Sequence, residues 1–468
     1  MTTTPGRALV TGASGYVGGQ LVPALIERGW RVRVLSRSAS HLAGRAWSDD
    51  VEVAEGSVDS ADDLAAALAD VDVAYFLVHS MDGAADFRRR DRDNARTFAA
   101  AAEQAQVGRI VYLGGLHPDT GLSEHLASRV EVGEIFIEGT VPAVVLQAGV
   151  VLGDGSASFD MLRHLTERLP VVVAPRWLRN AIQPVAVDDV VFYLAEAAAL
   201  PPDTNRAYDV GGPDVLTYAD MMKRYAAVTG LGPRLIATVP VLTPELASRW
   251  VGLVTPVPSG IARPLVGSLI NDAVCDENDI LRDVGEPEGG RLGFAEAVRR
   301  ATADLDPSAF RSAMTLTGSI VGAAAAAGSF LSNPRSAWYR SLRLPSWQPP
   351  ALAFPVVWTA LYADAAVTTG ASVAELREGD RDEEATALVR AVVVNMGVNA
   401  LWSAVFFRMH RPGAATVVAG LLTMSGADLV RRVATVRPGR AAALAAYPAW
   451  CAFATVLSAA VAARNRSR

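Results

Sequence analysis

Residues 7–18 read RALVTGASGYVG, a short apolar strand pattern that runs directly into glycines at positions 12, 15 and 18. A helical pattern opens within this stretch and continues to about Arg28. In such a turn Gly12 permits the sharp bend, Gly15 lets backbone N–H groups approach a pyrophosphate, and Gly18 lets the helix pack close to the sheet. The sequence therefore predicts a dinucleotide-binding loop, with contacts from Gly12, Ser14, Gly15, Tyr16, Val17 and Gly18.

The alternation of strand and helix patterns continues to about residue 150. Segments of helical period rich in Ala, Leu and Arg separate short β-branched runs at 7–11, 31–36, 51–54, 73–79, 109–113 and 143–147. Such alternation indicates βαβ units and a parallel sheet. We predict an α/β, Rossmann-like, doubly wound domain over residues 1–310, with its core at 7–150 and a substrate-side lobe at 151–310.

The residues at the end of the second predicted strand indicate whether NAD(H) or NADP(H) is preferred. An NAD-selective site would place an Asp or Glu there, on the ribose 2′-hydroxyl. Ser36 and Arg37 stand at that place instead, and a guanidinium pairs well with a 2′-phosphate. We therefore expect NADP(H) to be favoured over NAD(H). The alternative is that Arg37 is an ordinary solvated arginine.

The composition changes near residue 312. Positions 312–333 contain no charged residue and are long enough to cross a bilayer as a helix. Four more mostly apolar segments follow, at about 351–374, 386–407, 413–430 and 441–463. We predict an all-α bundle of five transmembrane helices over residues 311–468. Buried helices of a soluble fold are the alternative, although these segments are apolar on all sides.

The orientation of this bundle follows from the first residues. Positions 1–6 lack the charged and apolar regions of a signal peptide. We therefore expect a multi-pass protein of the cell membrane, in contact with the lipid bilayer, whose 1–310 domain stays in the cytoplasm. Arginine counts on the two sides of the predicted spans are nearly equal and decide nothing.

Charge and cysteine content exclude several classes of function. The formal net charge is −6, and no basic cluster suits a phosphate backbone, so we expect no nucleic-acid partner. Cys275 and Cys451 are the only cysteines, and the six histidines show no metal-ligand spacing, so we expect no metal. Lys223 is the only lysine, and a mechanism that needs a lysine must use it.

Several motifs of the first 300 residues resemble atypical short-chain dehydrogenase/reductases, also described as NAD(P)-binding, epimerase-like or NmrA-like proteins. The motifs lie at 11–18, 75–81, 149, 175–177, 184–190 and 212–218. The resemblance implies that the loop 79–81, and His79 in particular, borders the nicotinamide and the substrate cleft.

The sequence departs from the catalytic pattern of that superfamily, which uses a Tyr-x-x-x-Lys pair and an upstream Ser or Thr. Ala219 stands four residues before Lys223, and the strand 111–115 reads VYLGG, without the hydroxyl. The corresponding helix carries His125 and Arg129 one turn apart on the same face. Since histidine exchanges protons near neutral pH, we expect His125, with Arg129 beside it, to act in catalysis. A surface histidine in a domain that binds dinucleotide without turnover is the alternative.

The membrane half resembles the TspO/MBR family, the tryptophan-rich sensory or translocator proteins. The motifs lie at 337–362, 395–407 and 447–457, with departures at Leu344 and Ser458. The resemblance implies a site for porphyrins and other flat apolar ligands. Amides inside a span need polar partners, and mid-span tryptophans suit a pocket wall. The predicted ligand residues are Trp358, Asn395, Asn399, Trp402 and Trp450, and helix packing is the alternative for each.

Two functions follow from this combination. The first is a membrane-tethered NADPH-dependent reductase of an apolar or tetrapyrrole-like substrate, with His125 as the proton donor. The second is a non-catalytic NADP(H)-responsive sensor or transporter for porphyrin-type ligands. A homodimer formed through the membrane domain is a further expectation.

Overall fold

Parallel strands form the framework of the N-terminal half of the computed structural model. The structure describes residues 6–79, 86–118, 121–239, 251–252, 255, 257 and 259–465, so Ser80 and Met81 of the predicted nicotinamide loop lie outside it. It divides into two compact units, Met1–Asp304 and Leu305–Arg468. The strands are β1 Arg7–Thr11, β2 Arg31–Ser36, β3 Glu52–Glu55, β4 Val73–Phe76, β5 Arg109–Gly115, β6 Ala143–Ala148, β7 Val151–Leu152, β8 Val171–Pro175, β9 Ala181–Ile182, β10 Val185–Ala186, β11 Arg206–Val210, β12 Leu216–Thr217 and β13 Leu235–Val239.

Seven of these strands form one parallel sheet in the order β11-β6-β5-β4-β1-β2-β3. The chain moves outward from β1 in one direction through β2 and β3, then returns to β4 on the other side. The carboxyl ends of β1 and β4 therefore meet at a point where the strand order reverses, which is where open α/β sheets bind ligands. The predicted Rossmann-like fold is confirmed.

The helices of this unit cover both faces of the sheet. Alternate residues of β1 enter different cores: Ala8 and Val10 pack in one, and Leu9 packs in the other. This is why the central strand β1 has consecutive apolar residues from Ala8 to Val10. The helices are α1 Tyr16–Glu27, α2 Ala61–Ala67, α3 Phe87–Gln104, α4 Glu124–Ile137, α5 Ala157–Arg168, α6 Val187–Glu196, α7 Tyr218–Val228, α8 Ser259–Ser268, α9 Asp279–Asp283 and α10 Phe294–Ala301.

A second lobe with its own core follows the sheet strand β6. Short strand pairs build it: β7 with β10, β9 with β12, and β8 with β13. Phe159, Tyr225 and Phe294 are buried at its centre, together with the inner side of β8. Lys223 lies on α7, where its ammonium group is 3.4 Å from a carboxylate oxygen of the exposed Asp220. The only lysine of the chain therefore forms a surface ion pair.

The second unit is helical. It contains α11 Ala309–Leu331, α12 Ala337–Ser341, α13 Ala353–Glu378, α14 Asp382–Ser403, α15 Pro412–Ala434, α16 Pro438–Leu444 and α17 Ala446–Arg464, and a π-helical segment at Ala404–Arg408 extends α14. Among the residues that the structure describes, four helical segments are long and apolar enough to cross a membrane: Ala309–Leu331, Asp382–Arg408, Pro412–Ala434 and Pro438–Arg464. The chain is a membrane protein, as predicted.

Small and hydroxylated side chains let α11 and α13 pack closely. A β-carbon at Gly370 would lie 2.6 Å from the hydroxyl of Thr317, so a side chain does not fit there. Thr317 donates a hydrogen bond of 3.0 Å to the carbonyl of Ala366 on the facing helix. Such contacts hold helices together where lipid supplies no hydrophobic driving force.

Asp189 gives the N-terminal unit a testable dependence on pH. Its side chain is 1% exposed at the start of α6 and accepts a hydrogen bond of 2.9 Å from the backbone N–H of Leu292. Burial raises the pKa of this carboxyl to about 6. Because the folded state holds the proton more tightly than the unfolded chain does, the protonated carboxyl stabilises the fold. That contribution is complete below pH 4 and is lost as the pH rises to about 6.

We expect Asp189→Asn to be more stable than the parent at pH 8, by at least about 2 °C in melting temperature. The difference should shrink as the pH falls towards 4, because the parent carboxyl then becomes neutral. Melting curves of both proteins between pH 4 and 8 measure this effect. Asp188→Asn is the control, since Asp188 is the exposed neighbour. The same melting difference at both ends of the pH range would contradict the assignment.

Candidate functional site

The glycine loop after β1 is a close-packed turn. Gly12 has a φ angle of +72°, and a β-carbon there would lie 2.8 Å from the carbonyl oxygen of Leu77. A β-carbon at Gly18 would lie 2.3 Å from the carbonyl of Gly12. Both positions therefore require glycine. The turn is closed by a 2.9 Å hydrogen bond from the N–H of Gly15 to the carbonyl of Gly12.

The loop opens into α1 with features that suit an anion. Gly15 precedes the helix, no side chain caps its first turn, and that turn contains no acidic residue. The partial positive charge of the helix end and its backbone N–H groups are thus left for a phosphate. These residues fit the pyrophosphate of a dinucleotide.

Tyr16 enters this site through its backbone. A β-carbon at Gly153 would lie 2.1 Å from the phenol oxygen of Tyr16, which shows how tightly the ring packs against that loop. The phenol oxygen is buried, and it has no hydrogen-bond partner within the described ranges. Burial raises the pKa of this phenol. The ring of Tyr16 is therefore a packing element. The backbone N–H of Tyr16 is the group left for the predicted contact with a dinucleotide.

Two exposed arginines lie between β2 and β3 in the chain. Arg37 follows β2 and is exposed, while the hydroxyl of Ser36 is committed to the carbonyl of Ser38 at 2.9 Å. Arg45, which sequence reasoning missed, donates a hydrogen bond of 2.8 Å to the carbonyl of Ser14. No motif distinguishes Arg45 from the many other arginines, so only the fold could reveal it.

His79 and His125 meet although 45 residues separate them in the chain. Their ring centroids are 5.6 Å apart, and the ring of Phe87 lies 6.3 Å from that of His125. His79 comes shortly after β4, at the same strand edge as the glycine loop. The structure therefore brings together the predicted nicotinamide-side residue and the predicted catalytic residue.

Both imidazoles are neutral at physiological pH. Burial, with the nearby positive charge of Arg129, lowers the pKa of His79 to about 3 and that of His125 to about 4. Arg129 donates a hydrogen bond of 2.6 Å to the carbonyl of Leu113, at the end of β5. Arg129 therefore has a fixed backbone partner and acts on His125 through its charge.

A small cavity of about 140 Å³ lies between α4 and the carboxyl ends of β5 and β6. His117, which the sequence analysis left unassigned, lines it with Gln147, and the two side-chain Nε2 atoms are 3.2 Å apart. The position of His117 just after β5 was the available signal, because residues there face the ligand edge of a parallel sheet.

The helical unit contains a cavity of about 600 Å³. Four of the predicted ligand residues line it: Trp358, Asn399, Trp402 and Trp450. The indole N–H groups of Trp402 and Trp450 are buried, and neither has a hydrogen-bond partner among the residues that the structure describes. Two donors in an apolar cavity suit a flat ligand that carries acceptor groups. Leu344 and Ser458, the two departures noted above, also line it.

Asn395 differs in its surroundings from the other predicted ligand residues. Its side chain is 0% exposed and lies outside the cavity lining. Tyr447 donates a hydrogen bond of 2.7 Å to its amide oxygen, and its amide nitrogen donates one of 3.1 Å to Ser425. These bonds join three helices, so Asn395 has the packing role that the sequence left open. Asn399, one turn further on, accepts a 2.7 Å hydrogen bond from Tyr362 and reaches the cavity.

Both halves match known families. Residues 315–464 match the TspO/MBR family model, and residues 12–135 match a model described as NAD(P)H-binding. The tryptophan-rich protein TspO of Chlorobaculum tepidum is 32% identical over 28% of this chain and 82% of its own length. The chain belongs to the TspO/MBR family.

The N-terminal unit of this TspO family member is an NAD(P)H-binding, reductase-like domain. A ceramide reductase of Caulobacter vibrioides is 30% identical over 50% of this chain and 74% of its own length. The structure of a Citrobacter triphenylmethane reductase complexed with NADP(H) matches with a TM-score of 0.51 and 18% identity, over 63% of this chain and 99% of that one. That structure supports the fold alone.

The TspO family binds small ligands such as porphyrins in membranes, and the two asparagines of α14 provide a matched test of the site. Asn395→Ala should lower the stability of the bundle by about 0.6–1.7 kcal/mol, the usual range for such bonds in membranes. It should leave the affinity for protoporphyrin nearly unchanged.

Asn399→Ala should weaken porphyrin binding by about tenfold, which corresponds to about 1.4 kcal/mol. Thermal unfolding and fluorescence titration of the full chain in detergent separate the two effects. A greater loss of affinity in Asn395→Ala than in Asn399→Ala would reverse the assignment.

Proposed function

We propose that this protein is an NADPH-dependent reductase that acts on the carbonyl group of an apolar, lipid-like substrate. The observation that carries the proposal is the approach of His79 and His125 at the strand edge that also holds the glycine loop. The relative named ceramide reductase supports a lipid substrate. The fusion to a membrane unit supports it too, because a chain held in the bilayer is close to lipid-like molecules.

The bound nucleotide would supply a hydride to the carbonyl carbon. The residues of the chain would stabilise the carbonyl oxygen and supply its proton. A neutral imidazole N–H of His125 donates a hydrogen bond to that oxygen, as neutral histidines with lowered pKa values do elsewhere. The oxygen then gains a proton from His125, and solvent restores the proton to the ring. Burial, together with the charge of Arg129, lowers the pKa of His125 and keeps the imidazole neutral before the reaction.

Two exposed guanidinium groups support NADPH as the physiological nucleotide. Arg37 follows β2 where an acidic residue would select NAD, and Arg45 lies against the carbonyl of Ser14. A 2′-phosphate held by these guanidinium groups would gain charge-assisted hydrogen bonds that the free hydroxyl of NADH cannot form.

NADPH should therefore bind the full chain at least about tenfold more tightly than NADH, a difference of about 1.4 kcal/mol. Arg37→Ala should remove most of that preference. Arg31→Ala is the matched control, because Arg31 is exposed at the amino end of the same strand. Nucleotide titrations by tryptophan fluorescence provide the measurement. Equal affinities in the parent protein would rule out the assignment.

His125→Ala should leave the affinity for NADPH unchanged and reduce turnover by about 10²-fold or more, the usual effect of losing a positioned proton donor. His117→Ala, at the neighbouring strand end, should retain most of the rate. The assay is oxidation of NADPH in the presence of long-chain ketones presented in bilayers. An unaltered rate in His125→Ala would exclude the mechanism.

The alternative is a sensor that binds NADP(H) without turnover. The two glycines at the end of β5, where related enzymes carry a hydroxyl, favour it. In that case no lipid or tetrapyrrole would oxidise NADPH, and porphyrin affinity of the membrane unit would change when nucleotide is added.

We also propose a topology. α13 is a helix of 26 residues that carries Trp358 of the ligand cavity. We assign it as a fifth span, which follows the first of the four apolar helices and precedes the other three. In this topology we assign the NAD(P)H-binding domain, 1–310, to the cytoplasm, and residues 311–468 to the membrane domain.

A further inference from the structure

The pair of strands β8 and β13 presents an apolar face to the outside of the second lobe. Leu235 lies opposite Val171 in the pairing, and Ala237 lies opposite Val173. Val171 is 57% exposed, Val173 54% and Leu235 66%, and Ala237 is exposed too. We call these four residues the outer apolar face.

This arrangement is unusual for a sheet of a water-exposed domain. A sheet with one face on the core normally carries polar residues on the other. Here the buried partners Val172 and Ala174 fill the core of the lobe, yet the outward residues of the same strands are apolar as well. Such a face marks an interaction site.

The residues next to this face suit a lipid surface. Arg176 and Arg179 follow β8 directly, and both are exposed. Trp177, between them, is half-buried and packs against the core of the lobe. Arg168, just before β8, is buried, so the arginines beside this face that are free to meet a bilayer surface are Arg176 and Arg179. Exposed apolar residues flanked by arginines are typical of a surface that rests in the headgroup region of an anionic bilayer.

The connection to the membrane keeps this lobe close to lipid. α10, the last helix of the lobe, packs in the same core as the inner side of β8. Only residues 302–308 separate the end of α10 from the start of the first apolar helix, α11. Even fully extended, such a linker spans no more than about 25 Å. The lobe therefore cannot move far from the bilayer that holds the helical unit.

From these observations we infer that the outer apolar face docks on the anionic surface of the bilayer in which the chain's own helices are embedded. The contact would hold the second lobe, which borders the proposed substrate cleft, at the depth of lipid headgroups. The inference requires the membrane unit but not the proposed reductase activity, and its test does not use turnover.

The experiment places a nitroxide label at Val173→Cys or Leu235→Cys in the full chain. Cys275 and Cys451 are first replaced by serine, and nucleotide binding confirms that the variants fold. The protein is reconstituted in nanodiscs of phosphatidylcholine, with or without phosphatidylglycerol. Collision rates with oxygen, which partitions into lipid, and with a water-soluble nickel chelate report the surroundings of the label. A label at Asp70→Cys, in an exposed loop before β4, is the control.

We expect the oxygen-to-nickel ratio to be higher at positions 173 and 235 than at position 70, and to rise further with phosphatidylglycerol. Replacing Arg176 or Arg179 by glutamine should reduce the ratio of lipid-bound to unbound lobe by roughly fivefold for each arginine, as expected for about 1 kcal/mol each. With the label moved to Ala237→Cys, Val173→Asp should abolish the oxygen preference.

Two results would overturn the inference. The first is a water-like ratio at positions 173 and 235 in both lipid mixtures. The second is dipolar broadening between labels that disappears when labelled chains are diluted with unlabelled ones, which would show that a second copy covers this face.

Discussion

The approach of Gly12 to the carbonyl of Leu77 is the contact on which the nucleotide site depends. A β-carbon at Gly12 would lie 2.8 Å from that oxygen, and the φ angle of +72° there strongly favours glycine. Because β1 and β4 lie side by side, this contact joins the loop after β1 to the segment after β4. The anion-binding end of α1 and the imidazole of His79 therefore lie at one edge of the sheet. The glycine at position 12 thus determines both where a dinucleotide fits and which side chains face it.

The sheet could be predicted from the sequence because the patterns that indicate its strands are local. The β-branched runs and the glycine spacing each lie within a few residues, and the observed strands begin within one residue of the predicted positions for β1 to β6. The meeting of His79 with His125 could be anticipated only through a family resemblance. The contact of Arg45 with Ser14 depends on a loop whose course no local pattern specifies, and the position of His117 after β5 indicates the ligand edge but not the contact with Gln147. These contacts had to be seen in the structure.

The membrane unit shows the same division between local and long-range information. Hydropathy identifies spans, but it does not tell which of two asparagines on one helix face reaches a cavity. Asn395 and Asn399 are one turn apart on the same helix. Tyr447 and Ser425 form hydrogen bonds with Asn395, whereas Asn399 lines the cavity. The unpartnered indole N–H groups of Trp402 and Trp450 are likewise a property of the packed helices. In both units the residue types follow from the sequence, and the assignment of their roles follows from packing.

The most direct test of the central claim, that the N-terminal unit reduces a lipid, is an isotope transfer. The full chain in bilayers of a bacterial lipid extract is supplied with NADPH that carries deuterium at the transferable C4 position, and the lipids are analysed by mass spectrometry. The proposed reductase predicts a lipid product that gains one deuterium and one exchangeable hydrogen, and that is absent when Gly12→Val blocks the glycine loop. NADPH that binds tightly while no lipid acquires deuterium would contradict the account and would leave a nucleotide-binding domain without a reductase reaction.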